Sequence, residues 1–395
     1  MNTLQRCLAS TAAICLLGCL FGCSNGTTNI SAPVLPPTTL PTPPATSSPT
    51  ATAKPKFVYT GNQGKSLSGY AVNLSTGSLT SLSGFPVALG LNPTIVTHDP
   101  QNRFLIVADN SAFLLHVFAI DATTGALSEI SPSPYVTKIQ PGKVTTDPSG
   151  THVYLYRAGQ NVAFPSESGN QVFAYNLSST GVLTDVVGAP FFTSSTVVNQ
   201  CTGITTDSTG KFLYLQDLFN LYTFSIDGNS GALILIQTVP SGYGGGIALD
   251  PAGSYLYAAG SNSILTYEIN PTSGTLKLAK SSPTAKQAGA YTIAVSPTGN
   301  SAYTIEDNNY LVSYSITDGT FVPVGTIHPD IYGQQIAVDP SGSFVYVPQG
   351  CSNCPSGVYN VVHEFSIGST GALTPLPDAT VAAGITPLGI TVTSQ

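Results

Sequence analysis

Polar and ionisable side chains recur at one register of the chain, ten residues after a repeated turn that starts with Asp or an equivalent residue. The series holds three carboxylates, one cation, two amides and one glycine: Asn62, Asp109, Arg157, Asp217, Gly260, Glu306 and Gln349. Carboxylates facing a cation near a shared opening can bind a polar small molecule, a sugar or a cation. The alternative is that these positions are polar because strand ends meet water.

Lys143, Tyr291, Gln334 and Gln335 stand just before the same turn, where an inner strand would begin. His328, close to Asp330, offers a general base in a loop, but no nucleophile can be paired with it. Catalytic residues therefore stay unknown at this point. The predicted ligand-binding set is Asp109, Lys143, Arg157, Asp217, Tyr291, Glu306, His328 and Gln334.

Cys351 and Cys354 form a Cys-x-x-Cys pair in a loop segment. A structural zinc site needs four ligands, and the sequence has no second pair of this spacing. A local disulfide is the prediction for an exported chain. Because no phosphate-binding glycine loop or calcium-binding loop occurs either, we predict neither a metal nor a cofactor.

The charge balance excludes one class of partner. Twelve basic residues face nineteen acidic ones, for a net charge of -7, without the basic stripe that a nucleic acid needs. Charged residues make up only 8% of the chain, while 39 Gly and 30 Pro favour short strands joined by turns. The composition therefore predicts an all-β protein that does not bind nucleic acid.

A turn followed by a β-rich run occurs seven times. Examples are Asp147-Pro148-Ser149-Gly150 and Asp339-Pro340-Ser341-Gly342, and the runs begin at residues 57, 104, 152, 212, 255, 301 and 344. Each period also contains one glycine at a predicted hairpin: Gly77, Gly125, Gly181, Gly231, Gly274, Gly319 and Gly371. Two hairpins per period make a four-stranded meander, and seven such sheets make a seven-bladed β-propeller.

The chain ends predict how the ring closes. Residues Gly389 to Val392 match Gln335 to Val338, so the chain stops one strand into an eighth unit, while the first unit lacks that strand. We expect the C-terminal strand to complete the first blade and remove the open edge. The strands run in alternating directions, so the repeated turns should lie on one face and the candidate site residues on the other.

These motifs resemble the bacterial lactonase-like propellers, which include 6-phosphogluconolactonase and cycloisomerase relatives, and surface proteins with Tyr-Val-Thr-Asn-type repeats. The Asp-Pro-x-Gly-x-Phe-Val-Tyr-Val run and the Thr-Gly-x-Leu hairpin carry the resemblance across residues 57 to 395. Enzymes of that family carry Arg and His before an inner strand and an acidic residue after the next strand. Here Tyr291 and Thr292 stand at the first two positions, and Glu306 and Asp307 match the acidic one.

The N-terminal segment is typical of an export signal. An apolar run from Leu8 to Phe21 follows Arg6 and is short for a membrane span. The tetrads that end at Cys19 and Cys23 resemble the lipobox of bacterial lipoproteins, and polar sequence begins right after Cys23. The predicted organisation is a lipoprotein signal peptide over 1–23, a Pro/Thr/Ser-rich linker over 24–56 and the propeller over 57–395.

The sequence thus predicts an exported, lipid-anchored, monomeric propeller at the bacterial cell envelope, tethered outside the cytoplasm. Its first predicted role is binding of a small polar ligand, a saccharide or a protein partner, because the Arg and His of the enzymes are replaced. The alternative is a lactone hydrolase of the 6-phosphogluconolactonase-like type.

Overall fold

The computed structural model of the protein describes residues 55–89, 92–137, 140–157, 170–194, 201–242, 244–287, 289–307, 309–327, 335–350 and 360–395. Within these ranges the regular structure consists of 31 β-strands, and no helix occurs. It follows that no helix in the described part of the chain is long and apolar enough to cross a membrane.

Three blades come first along the chain, and in each of them the outermost strand is split into two short pieces. Blade 1 contains β1 (Pro55–Asn62), β2 (Ser66–Val72), β3 (Leu79–Ser81) and β4 (Val87–Ala88). Blade 2 contains β5 (Pro93–His98), β6 (Phe104–Asp109), β7 (Leu114–Ile120), β8 (Leu127–Glu129) and β9 (Tyr135–Val136). Blade 3 contains β10 (Lys143–Thr146), β11 (His152–Arg157), β12 (Asn170–Leu177), β13 (Leu183–Asp185) and β14 (Phe191–Ser194).

The other four blades have one continuous outer strand each. Blade 4 contains β15 (Cys201–Thr206), β16 (Phe212–Asp217), β17 (Asn220–Ile226) and β18 (Leu233–Pro240). Blade 5 contains β19 (Gly246–Leu249), β20 (Tyr255–Ala259), β21 (Ser263–Ile269) and β22 (Leu276–Pro283). Blade 6 contains β23 (Ala290–Val295), β24 (Ser301–Glu306), β25 (Tyr310–Thr317) and β26 (Thr320–Ile327). Blade 7 contains β27 (Ala337–Val338), β28 (Phe344–Gln349), β29 (Val361–Ile367) and β30 (Leu373–Ala382).

The last strand, β31 (Pro387–Ser394), closes the ring. It pairs antiparallel with β1, with Val58 opposite Val392 and Pro55 opposite Ser394, and so supplies the innermost strand of blade 1. The predicted seven-bladed propeller and its closure by the C-terminal strand are confirmed. The two ends of the sheet system are therefore held by a strand pairing, which leaves no open edge between the first blade and the last.

The repeated turn joins the innermost strand to the second strand of a blade, and its first side chain caps the turn. Asp339 Oδ1 accepts hydrogen bonds from Ser343 N over 2.7 Å and Phe344 N over 2.6 Å. Asp147 accepts in the same way from Thr151 N and His152 N. The carboxylate thus supplies acceptors for two consecutive amides at the start of the second strand, which explains why Asp recurs at this position.

The seven predicted hairpin glycines all have positive φ, between 68° and 85°. Their hairpins and the capped turns lie at the same ends of the strands, on what we call the lower face. The opposite ends, where the described candidate site residues lie, form the upper face. Because neighbouring strands in each blade run in opposite directions, the repeated turns and the described candidate site residues lie on opposite faces, as predicted.

Neighbouring blades are joined by buried tyrosine hydroxyls. Each of these tyrosines lies on the second strand of its blade and donates to the carbonyl of the hairpin glycine in the next blade. The bonds run from Tyr59 to Gly125, from Tyr154 to Gly231, from Tyr214 to Gly274 and from Tyr346 to Gly77. The hydroxyl groups are therefore satisfied inside an apolar contact, which we call a seam between two blades.

Candidate functional site

The polar residues at the upper ends of the second strands cap the loops that follow them. Asp109 Oδ1 accepts from Ser111 N over 2.9 Å and from Ala112 N over 2.8 Å. Asp217 Oδ1 accepts from Phe219 N and Asn220 N, both over 2.8 Å. A carboxylate that receives two backbone amides fixes a tight turn.

Several of these residues also bond within their own blade to a third-strand side chain. Asn62 Nδ2 donates to Ser68 Oγ over 3.0 Å, and Tyr222 donates to Asp217 Oδ2 over 2.8 Å. The partner stands two residues before the aromatic residue of the third strand, where it lies diagonally across the strand pair. Gly260 of blade 5 has no side chain to pair, and Leu265 occupies the partner position there.

Asp109, Asp217 and Glu306 are all buried, with at most 1% of their surface exposed. Glu306 accepts from Lys286 N over 3.0 Å, from Thr304 Oγ1 over 3.1 Å and from the Tyr314 hydroxyl. Contact with water therefore does not explain why these positions are polar. The three carboxylates stabilise the loops under the upper face, and their role as ligand contacts stays a prediction.

The innermost strands of all seven blades enclose one cavity of about 260 Å³ on the ring axis. Seven β-branched side chains border it, one from each blade: Val96, Val144, Ile204, Ile247, Ile293, Ile336 and Ile390. The threonines Thr97, Thr202, Thr292 and Thr391 add hydroxyl groups to the wall. The cavity thus combines an apolar girdle with a few polar groups, as small-molecule sites do.

Lys143 is the one charged side chain among the described residues that line this cavity. It is the first residue of β10, so it stands on the side of the upper face, and Gln335 stands at the matching register of blade 7. Gln335 Oε1 accepts from Ile390 N over 2.9 Å, which orients its amide at the wall. An ammonium group beside apolar walls attracts a carbonyl oxygen or an anion.

The backbone of blade 5 at the cavity mouth consists of Gly244, Gly245 and Gly246. Gly244 N donates to Leu218 O, and Gly245 N donates to Ala259 O. Gly246 N donates to Gln216 Oε1 over 3.1 Å. All three amides are engaged within the protein, so this segment does not provide an oxyanion hole.

Tyr291 and Asp307 form a side-chain pair at the upper rim of blade 6. The Tyr291 hydroxyl donates to Asp307 Oδ1, and Gly289 N donates to Asp307 Oδ2 over 2.9 Å. The hydrogen bond to Asp307, together with partial burial, raises the pKa of the Tyr291 phenol. Tyr291 therefore stays protonated and holds the carboxylate in place.

Other predicted residues lie outside what the structure describes. Arg157 ends β11, and its side chain is not among the described groups. His328, Gln334, Cys351, Cys354, Cys19 and Cys23 all fall outside the described residues. The disulfide and the lipidation site stay predictions. Within the described ranges no group of three His, Cys, Asp or Glu side chains is arranged to hold a metal ion.

Solved structures with the same fold include lactone-acting propellers. A Bacteroides uniformis protein assigned as a 6-phosphogluconolactonase is 17% identical, covers 86% of this chain and all of its own, and superposes with a TM-score of 0.72. The periplasmic gluconolactonase PpgL of Pseudomonas aeruginosa is also 17% identical, covers 85% of this chain and 98% of its own, with a TM-score of 0.69. At this identity the likeness shows the fold.

No curated protein matches the chain. The sequence profile of the family described as lactonase, 7-bladed beta-propeller, matches residues 45–146 and 150–292, which is more than half of the chain. The matched region contains Lys143, the glycine segment of blade 5 and Tyr291. The protein therefore belongs to the lactonase family of seven-bladed β-propellers.

Proposed function

We propose that the protein hydrolyses a lactone of a sugar acid at the upper mouth of its central cavity. Family membership supports this activity, and the observation that carries it is the placement of Lys143 as the charged group of a cavity bordered by all seven blades. The same membership supports the hydrolase more than the binding module that the sequence favoured first.

Hydrolysis of a lactone adds water to the carbonyl carbon and breaks the bond between that carbon and the ring oxygen. The carbonyl oxygen becomes negatively charged in the transition state, and the Lys143 ammonium is the described group at the cavity that stabilises such charge. The product is a hydroxy acid: one hydrogen of the water ends on the former ring oxygen and the other on the new carboxyl group, which then ionises and releases it as the acid that can be measured.

A general base has to take the first proton from water and return it to the ring oxygen. Asp307 suits this role better than Glu306, because Asp307 is partly exposed at the rim whereas Glu306 is buried and bonded to Thr304 and Tyr314. Asp307 keeps free lone pairs beyond its bonds to Tyr291 and Gly289. Lys143 on blade 3 and Asp307 on blade 6 would approach a bound lactone from different sides of the mouth.

The test is acid release from glucono-1,5-lactone by the purified full-length protein, followed with a pH indicator and corrected for spontaneous hydrolysis. Replacing Lys143 with Ala should lower kcat/KM by about 100-fold or more, with an unchanged melting temperature. Lys211→Ala, an exposed lysine at a lower-face turn, is the matched control. Absence of hydrolysis above the blank, or a fully active Lys143→Ala variant, would overturn the proposal.

We propose further that the protein is a monomer anchored at the cell envelope by a lipid on Cys23, or on Cys19. The short apolar segment and the lipobox-like tetrads support this location. Globomycin treatment and Cys23→Ala substitution should each change the mass and the membrane fractionation of the chain. Unchanged processing in both the Cys19→Ala and Cys23→Ala variants would contradict the anchor.

A further inference from the structure

Tyr291 of blade 6 is a large aromatic side chain that stays exposed on the upper face although it does not lie on an outer blade edge. Its exposed fraction is 59%. Tyr291 directly precedes Thr292, which lines the cavity. An exposed aromatic residue beside a cavity offers a flat apolar contact surface together with a polar tip.

Blade 5, the neighbour of blade 6, presents small residues to the upper face. Its mouth segment contains Gly244, Gly245 and Gly246, and its next upper loop begins at Gly260. A Cβ atom on Gly245 would lie 1.6 Å from Ala290 O, so no larger residue fits there without moving the backbone. The backbone of blade 5 therefore lies close against the start of β23, directly beside Tyr291.

The Tyr291 ring is held in place before any ligand arrives. Its hydroxyl is bonded to Asp307, which is itself held by Gly289 N, and its backbone lies against Gly245. A ring that is already ordered loses little conformational freedom when a ligand packs on it.

We propose that Tyr291 is a stacking platform for the face of an uncharged sugar ring, with one free lone pair of Asp307 accepting a sugar hydroxyl and the other left for the water of the reaction. A pyranose ring has an apolar C–H face that matches an aromatic surface and hydroxyl groups around its edge that match a carboxylate. This assignment deepens the proposed function, on which it rests for the reaction, by making Tyr291 a specificity-determining residue.

The charges near the platform favour an uncharged ring over a sugar phosphate. Asp307 places a negative charge at the tip of Tyr291, where it repels a phosphate dianion. The nearby Lys286 ammonium lies 4.1 Å from the centre of the Tyr310 ring and is engaged there. Lys143 stands on blade 3, across the mouth, where it serves the carbonyl end of the ligand.

Kinetics of lactone hydrolysis provide the first test. Tyr291→Ala should raise KM for glucono-1,5-lactone about tenfold or more, whereas Tyr291→Phe, which keeps the ring, should stay within about threefold of the parent in KM. Both variants lose the hydroxyl that holds Asp307, so any fall in kcat should be the same in both. Tyr255→Ala is the matched control, because Tyr255 also donates to an aspartate, Asp318 Oδ1 over 3.0 Å, but on the lower face. A KM in Tyr291→Ala equal to that of the parent overturns the platform.

Binding of an inert sugar separates the platform from the reaction. Saturation-transfer NMR with methyl β-D-glucopyranoside should show contact with the full-length parent and with Tyr291→Phe, and little with Tyr291→Ala. If this pattern appears without lactone hydrolysis, the platform stands and the hydrolase proposal falls. If the parent shows no contact with the glycoside, or if 6-phosphogluconolactone is hydrolysed with a higher kcat/KM than the unphosphorylated lactone, the uncharged-sugar platform is overturned.

Discussion

Two seams differ in the side chain that bonds the first backbone amide of an outer strand. The seam between blades 4 and 5 uses a glutamine, and the seam between blades 7 and 1 uses a glutamate. Gln237 of blade 4 accepts from Leu276 N over 2.6 Å and donates back to Leu276 O over 3.0 Å. Glu364 of blade 7 accepts from Leu79 N over 3.3 Å, and its Oε2 has no partner in the described part of the chain. Leu276 and Leu79 each begin the outer strand of their blade.

The carboxyl group of Glu364 makes the seam between blades 7 and 1 sensitive to pH. The amide of Gln237 does not titrate, so the seam between blades 4 and 5 lacks this sensitivity. Glu364 is 1% exposed, and burial raises its pKa from 4.5 to about 7, with Asp378 adding to the rise and Leu79 N opposing it. The unfolded chain releases this proton near pH 4.5, while the folded chain keeps it until about pH 7. The stability that the protonated group contributes is thus complete below pH 4.5 and is lost as the pH rises through 7.

The largest expected effect comes from replacing Glu364 with Gln, which gives both seams an amide. The variant should be more stable than the parent by about 3 kcal/mol at pH 8 and by little at pH 4, since the pKa shift corresponds to that free energy. Urea denaturation followed by tyrosine fluorescence measures it, because the chain has no Trp. Glu268→Gln, an exposed carboxyl on β21, is the control. A parent whose stability does not fall between pH 4.5 and 7 contradicts the assignment.

Removing the amide from the other seam tests its two hydrogen bonds. Gln237→Ala should lower the free energy of unfolding by about 1–2 kcal/mol, because Leu276 loses a partner for both its N–H and its carbonyl. The same denaturation series should give equal losses at pH 4 and pH 8. A loss that grows with pH would mean that another titrating group acts through this seam.

Placing a carboxyl group in the amide seam should transfer the pH dependence on a smaller scale. Gln237→Glu should lose about 1 kcal/mol at pH 8 and almost nothing at pH 4, because this position is only partly buried and the charge keeps some water. The repulsion between the carboxylate and Leu276 O adds to the loss. If this variant and the parent are equally stable at both pH values, burial and not the geometry of the seam controls the pKa of Glu364.

The smallest expected effect is on the proposed reaction. Glu364 does not line the central cavity, so Glu364→Gln should hydrolyse glucono-1,5-lactone within about twofold of the parent at pH 6. The seam does reach the cavity wall at its inner end, where Ile390 N donates to Gln335. A larger change in kcat/KM would show that the two ends of this seam are coupled.

The fold was predictable because its signals are local or repeated. Asp339 and Gly231 act within a few residues, and the same turn chemistry recurs in every blade. Closure of the ring joins distant parts of the chain, but it was predictable because Gly389 to Val392 repeat the inner-strand sequence Gln335 to Val338. Lys143 and Tyr291 were found by counting from those turns, and the structure places Lys143 at the cavity wall and Tyr291 next to Thr292, which lines the cavity.

The contacts between elements were not predictable in the same way. The tyrosine hydroxyls that cross the seams, and the acceptors Gln237 and Glu364, look like ordinary strand residues until the blades are packed. The burial of Asp217 was missed for the same reason, although its pairing with Tyr222 left a signal. In blades 1, 4 and 7 the residue two before the third-strand aromatic residue is polar and bonds the polar end of the second strand. In blade 5 this residue is Leu265 and the second strand ends at Gly260, and this paired variation can be searched for in other propeller sequences.

The position of Pro55 fixes the face of the propeller on which β1 begins. Pro55 pairs with Ser394 at the lower ends of the strands, so β1 starts on the face opposite Lys143 and Tyr291. Anything joined directly to Pro55, such as an affinity tag or a solid support in an assay, would therefore be attached at the lower face and not at the mouth of the central cavity.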